Sequence, residues 1–136
     1  MTVIKQIVKE LQETLIPYGR FCIGENTMQA MLELENPEEL MKPILKIIEE
    51  NPAVDFGTPG ELVLFLEGLY DCGYEELLIE SVLRSPTPYN IWMLHRCYND
   101  EMDSKHSEYQ QVINKLRESE DMSDNIKEII SQYDWD

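Results

Sequence analysis

The sequence predicts an all-α fold: a compact stack of about eight helices in antiparallel pairs. Three observations predict it. Apolar residues recur at i, i+3, i+4 and i+7 in one segment after another, which is the period of a half-buried helix. Asn-Pro, Thr-Pro and Ser-Pro steps punctuate these segments, placing proline where a helix tolerates it and breaking the chain where it does not. Period-two alternation is nearly absent, and Arg20 to Ile23 is the one piece that reads as a short strand.

The first helix covers about Thr2 to Leu15, with Ile4, Ile7, Val8, Leu11 and Leu15 on its apolar face, and Pro17-Tyr18-Gly19 breaks it. Asn26 with Gln29 three residues on is a capping box for a short helix through Met28, Met31, Leu32 and Leu34. Asn36-Pro37 opens the next, with Leu40, Met41, Ile44, Leu45 and Ile48 inward. Pro43 sits inside that pattern. An interior proline removes a ladder bond and costs roughly 3 kcal/mol, so this helix either kinks there or begins near Lys42.

Residues 56–99 organise the rest and read as three helices. Thr58, Pro59 and Glu61 form an N-cap, first position and capping box for a helix carrying Leu62, Phe65, Leu66 and Leu69. Val63, Leu64 and Tyr70 widen its apolar face, and Gly73 fits the left-handed position that ends it. The second runs from Glu75 to Arg84, with Leu77, Leu78 and Val82 inward and end charges that complement its dipole. Thr87-Pro88 opens the third, with Ile91, Leu94, His95 and Tyr98 on one face. Ser104 to Ser119 then carries Tyr109, Val112, Ile113 and Leu116 in register. The last helix carries Ile126, Ile129, Ile130 and Tyr133, and Trp135 folds back onto the body.

A weak repeat runs through this pattern. Glu38-Glu39-Leu40-Met41 and Glu75-Glu76-Leu77-Leu78 start 37 residues apart, and each precedes a Thr-Pro step. That spacing is close to the period of about 40 residues of HEAT-type helix pairs. With 136 residues and 43% apolar composition, the chain is expected to be a single domain, residues 1–136. The longest apolar run is Leu62 to Leu66, too short for a membrane span. The first residues lack the apolar core and cleavage site of a signal peptide, so a cytoplasmic location is expected. Cys22, Cys72 and Cys97 have no metal-ligand spacing and are read as small buried hydrophobes.

The formal charge is −16, from 11 basic and 27 acidic residues. It divides into −5, −4 and −7 over residues 1–55, 56–99 and 100–136, so no single tail carries it. Such a field repels nucleic acid and anionic membrane and attracts basic proteins. No nucleotide-binding, serine-hydrolase or zinc-protease motif occurs. His95 and Cys97 are two residues apart and point to different helix faces, so they make no nucleophile–base pair. No catalytic, cofactor or metal site is predicted, and the protein is not expected to be an enzyme.

Phe56-Gly57-Thr58-Pro59-Gly60, Gly73-Tyr74-Glu75-Glu76-Leu77-Leu78, Pro86-Thr87-Pro88 and Trp92-Met93-Leu94 together resemble small bacterial immunity proteins of polymorphic-toxin and contact-dependent growth inhibition systems. The resemblance implies a cytosolic inhibitor that binds and neutralises a cognate toxin domain. An acidic inhibitor suits a basic, nuclease-like toxin. The expected partner-binding residues are Asp71, Glu75, Glu76, Glu80, Asp100, Glu101 and Asp103. Each also reads as a plain solvated helix face or cap. Trp92 reads as a core residue, with a surface anchor as the alternative. The competing function is an acidic helical-repeat scaffold or adaptor for several protein partners.

Overall fold

Helix punctuation in this chain is honoured at some starts and overridden at others. The structure is a computed structural model that describes residues 3–70, 72–100 and 105–135. Among these residues it contains eight α-helices, one 3₁₀ turn and no strand: α1 (Val3–Glu13), α2 (Glu25–Leu32), the 3₁₀ turn (Pro37–Leu40), α3 (Met41–Glu50), α4 (Glu61–Glu67), α5 (Tyr74–Arg84), α6 (Pro88–Tyr98), α7 (His106–Glu118) and α8 (Asp124–Ser131). The chain falls into two compact units, residues 1–74 and 75–136.

In the first unit α1 packs against α2, α3 and the 3₁₀ turn. Ile7 and Leu11 of α1 are buried, as are Met31 of α2 and Ile44, Leu45, Ile47 and Ile48 of α3. Pro43 raises no conflict. The 3₁₀ turn ends at Leu40 and α3 starts at Met41, so proline lies in the first turn, where its missing N–H has no intrahelical partner to lose.

Two expected capping boxes in this unit are absent. α2 starts at Glu25 with Gly24 as its N-cap and no side-chain cap bond, which puts Asn26 inside the helix. Gln29 donates to Glu33 instead, and Thr27 Oγ1 donates to Glu10 Oε2 at 2.9 Å, tying α2 to α1. α4 begins at Glu61 with Gly60 as its N-cap. Residues 56–60 form a tight turn containing a cis Thr58–Pro59 peptide and Gly57 at φ +90°. A β-carbon on Gly60 would overlap the Phe56 carbonyl oxygen. The Glu61 carboxylate, expected to cap its own helix, accepts the Ile23 N–H at 3.1 Å.

The expected strand at Arg20–Ile23 reduces to one isolated bridge between Arg20 and Asp55. Below it the Phe21 and Phe56 rings meet at 5.3 Å. α4 also stops earlier than its apolar pattern suggests. Gly68 is its C-cap, and glycine costs about 1 kcal/mol against alanine in a helix interior. Gly73 does take the left-handed conformation, φ +99°, directly before α5.

In the second unit α6 packs on α7 and α8, which pack on each other. Ile91, Met93, Leu94 and Cys97 of α6 are buried, with Tyr109, Ile113 and Leu116 of α7 and Ile130 of α8. Here α6 and α8 carry local side-chain caps, whereas α7 starts after Lys105 without one. Ser123 accepts from Ile126 N–H at the start of α8. Thr87 Oγ1 accepts from Asn90 N–H at 3.1 Å, and Asn90 Oδ1 accepts from Thr87 N–H at 2.8 Å. Trp135 folds back as expected. It is buried, and its Nε1–H donates to the Ile130 carbonyl at 3.1 Å.

The cysteine expectation holds for Cys97 alone, since Cys22 and Cys72 are exposed. Both lie in connecting segments outside the helices, where no apolar stripe draws a side chain inward.

Candidate partner-binding surface

Acidic groups on α5 form the first part of the candidate surface. Tyr74–Arg84 is helical because its apolar positions recur at helical spacing, with Glu75 and Glu76 in the favourable first turn and Arg84 in the last. The structure separates the three expected acids on this helix. Glu75 is only 5% exposed, which removes it from the accessible surface. Glu76 and Glu80 are exposed and stand one turn apart on the same face. Glu76 Oε1 receives the Lys105 ammonium at 2.9 Å, and Lys105 also lies 3.9 Å from Glu108. The hydrogen bond from Lys105 holds the Glu76 carboxyl below its ordinary range, and the same bond raises the Lys105 ammonium above its own. Glu76 is therefore half of an ion pair, and Glu80 is the acid that the helix presents most openly.

Asp100 is half-buried after α6, and its carbonyl lies 3.1 Å from His106 Nε2. Asp71, Glu101 and Asp103 lie outside the described residues.

α6 adds a second feature, around the residue read as core with a surface anchor as the alternative. Trp92 is half-buried. Its ring meets Tyr89 at a centroid distance of 5.2 Å, and the Arg96 guanidinium carbon stands 5.2 Å from the ring centre. Residues 89, 92 and 96 follow an i, i+3, i+7 row displaced from the buried row of Ile91, Leu94 and Tyr98. That displacement was the available signal. An aromatic pair topped by arginine has the composition that dominates binding energy at protein interfaces.

His95 serves the fold. It stacks on Tyr133 at 4.7 Å and Tyr98 at 6.0 Å, and meets Trp135 edge-on at 4.8 Å. Its Nε2 lies 2.8 Å from the Asp134 carbonyl, and its Nδ1 lies 3.3 Å from the Asn99 amide nitrogen. A ring protonated on Nε2 satisfies both contacts, donating to the carbonyl and accepting from the amide. Burial pushes the Tyr133 hydroxyl above its ordinary value. Gln110 Nε2 donates to Tyr98 Oη at 3.2 Å and to the Trp135 carbonyl at 2.8 Å, closing the cluster.

Among the described residues, no group of three or more His, Cys, Asp or Glu side chains could hold a metal ion, and no helix is long and apolar enough to cross a membrane. No family model, curated protein or solved structure matches this chain.

Proposed function

We propose that this chain is a cytoplasmic immunity protein that binds and neutralises a basic, nuclease-like bacterial toxin domain. The observation that carries the reading is the net charge of −16, spread over all parts of the chain. Opposite charge steers a basic partner and raises association rates by orders of magnitude. Slow release needs anchors that lose their water on binding, and the Trp92, Tyr89 and Arg96 row on α6 supplies that chemistry. The same charge disfavours nucleic acid and anionic membrane as partners. The resemblance of residues 56–94 to immunity proteins points the same way. The competing scaffold reading rested on a helix-pair repeat. Its two Thr-Pro starts behave differently, since Thr58-Pro59 caps no helix and Thr87-Pro88 does.

The test is co-expression in a bacterial host with the C-terminal domain of a large secreted protein encoded next to this gene. Growth rescue, with co-purification that weakens as salt rises, is the expected result. Glu80→Lys and Trp92→Ala should each weaken both. Rescue that survives both substitutions together would remove this surface from the mechanism, and no rescue by a folded, abundant protein would remove that toxin as its partner.

A further inference from the structure

The C-terminal end of α2 breaks an electrostatic preference. A helix ends in carbonyls that carry partial negative charge, and cations are favoured beside them. α2 has no basic residue in its last turn, its C-cap is Glu33, and Glu35 follows two residues later. Glu39 of the 3₁₀ turn joins them. Glu33, Glu35 and Glu39 line one groove of about 490 Å³ in the first unit, where α1 meets α2 and that turn. All three are exposed. Glu33 accepts a hydrogen bond from the neutral Gln29 amide. Among the described residues none of the three takes part in an ion pair, and no basic side chain lines the groove.

Much of the remaining lining is apolar. Val3 is 60% exposed, and Ile4 and Leu34 are half-buried. Neither feature helps the fold. Gathered like charges repel one another, and a valine left open to water gains little from burial. Local rules broken without compensation concentrate at functional surfaces.

We propose that this groove docks a basic segment of a partner protein, which lays an arginine along the apolar floor. The arginine stem covers Val3, Ile4 and Leu34 while its head meets the carboxylates. A guanidinium suits the place better than an ammonium, because it is more weakly hydrated and its five donors can serve more than one carboxylate. Its charge also relieves the negative end of α2. The net charge of −16 favours this occupant.

Other occupants fit less well. An anionic ligand meets three carboxylates and the field of the whole chain. A second copy of this chain brings another −16. A metal ion needs its ligands to converge, and no group of three acids among the described residues is placed to hold one. The proposal gives the immunity reading a contact in the first unit. It rests on that reading only for the identity of the basic partner.

A peptide tests the groove without any toxin. The probe is about 15 residues long, an apolar stripe flanked by arginines, and its counterpart carries glutamine in place of every arginine. Both are titrated into the isotopically labelled full chain, into Glu35→Gln/Glu39→Gln, and into Glu118→Gln/Glu120→Gln. The last pair is exposed in the second unit and removes the same charge away from the groove. Circular dichroism confirms that each variant folds. The arginine peptide should shift the resonances of Val3, Ile4 and Leu34 in a saturable, salt-sensitive way, and the glutamine peptide should not. Affinity should fall about tenfold in the groove variant and by less than about twofold in the other. Equal losses in the two variants would assign binding to the overall field and overturn the proposal. So would equal binding of the two peptides, or no saturable shift at the groove. Growth rescue without peptide binding would overturn the groove and leave the immunity reading standing. Peptide binding at the groove without rescue would support the groove and remove that toxin.

Discussion

Thr58-Pro59 and Thr87-Pro88 present the same dipeptide before an apolar helix, and only one of them caps it. At residue 87 every partner lies close in sequence. Asn90 is buried, exchanges two hydrogen bonds with Thr87, and donates from Nδ2 to the Ser85 carbonyl at 2.9 Å and to Ser81 Oγ at 3.5 Å. At residue 58 the third residue on is glutamate, and its carboxylate goes to Ile23, 38 residues away. The chain then turns tightly through Gly57 and Gly60, and the helix begins two residues late. A capping motif is thus a local preference worth about 1 kcal/mol, and a competing long-range bond with a turn that suits it outweighs that preference.

The largest expected effect strikes the turn. Gly60→Ala forces the Phe56 carbonyl aside and should destabilise the protein by about 3 kcal/mol, read from urea denaturation. Retention of full stability would mean that the 56–60 turn relaxes at no cost. Asn90→Ala comes next, at about 2 kcal/mol, because it leaves buried backbone groups without their partner. A loss well under 1 kcal/mol would show the buried network to be dispensable.

The comparison is sharpest between two threonines. Thr87→Ala should cost about 1 kcal/mol, and exposed Thr58→Ala should stay within about 0.5 kcal/mol. Equal losses would restore Thr58 as a cap. The smallest effect belongs to the Glu76–Lys105 pair. The folded state holds the Glu76 carboxyl below its ordinary value, so it is deprotonated more readily when folded than when unfolded. Its contribution to stability is full above the ordinary value of 4.5 and fades as pH falls through the lowered folded value. Glu76→Gln should flatten the acid limb of a stability–pH curve slightly, by removing a small contribution at neutral pH that is already absent at low pH.

Much of the fold was legible because helices announce themselves locally. The stripe of Tyr109, Val112, Ile113 and Leu116 is buried as its period required, and α5 starts within one residue of its expected first turn. The candidate site was less legible. Glu75 and Glu76 are neighbours in sequence, yet one is buried and the other ion-paired at the surface. Trp92 belongs to a helix with a strong apolar stripe but sits off it, so composition suggested a core residue and angular position left it half-buried. The acid-lined groove was hidden for another reason. Val3 and Ile4 stand far in sequence from Glu33, Glu35 and Glu39, and only the packing of α1 on α2 and the 3₁₀ turn brings them together.

The sequence by itself determined the helical class, most helix spans, the Thr87-Pro88 start and the inward turn of Trp135. Each depends on periodicity or on bonds reaching no more than a few residues. Tertiary structure alone decided the fate of Glu61, the exposure of Cys22 and Cys72, the burial of Glu75 and the acid-lined groove. Those depend on which surfaces meet and which distant backbone groups need a partner. The fold brings the Ile23 N–H within 3.1 Å of the Glu61 carboxylate, and that bond takes the carboxylate away from the local motif it was suited to complete.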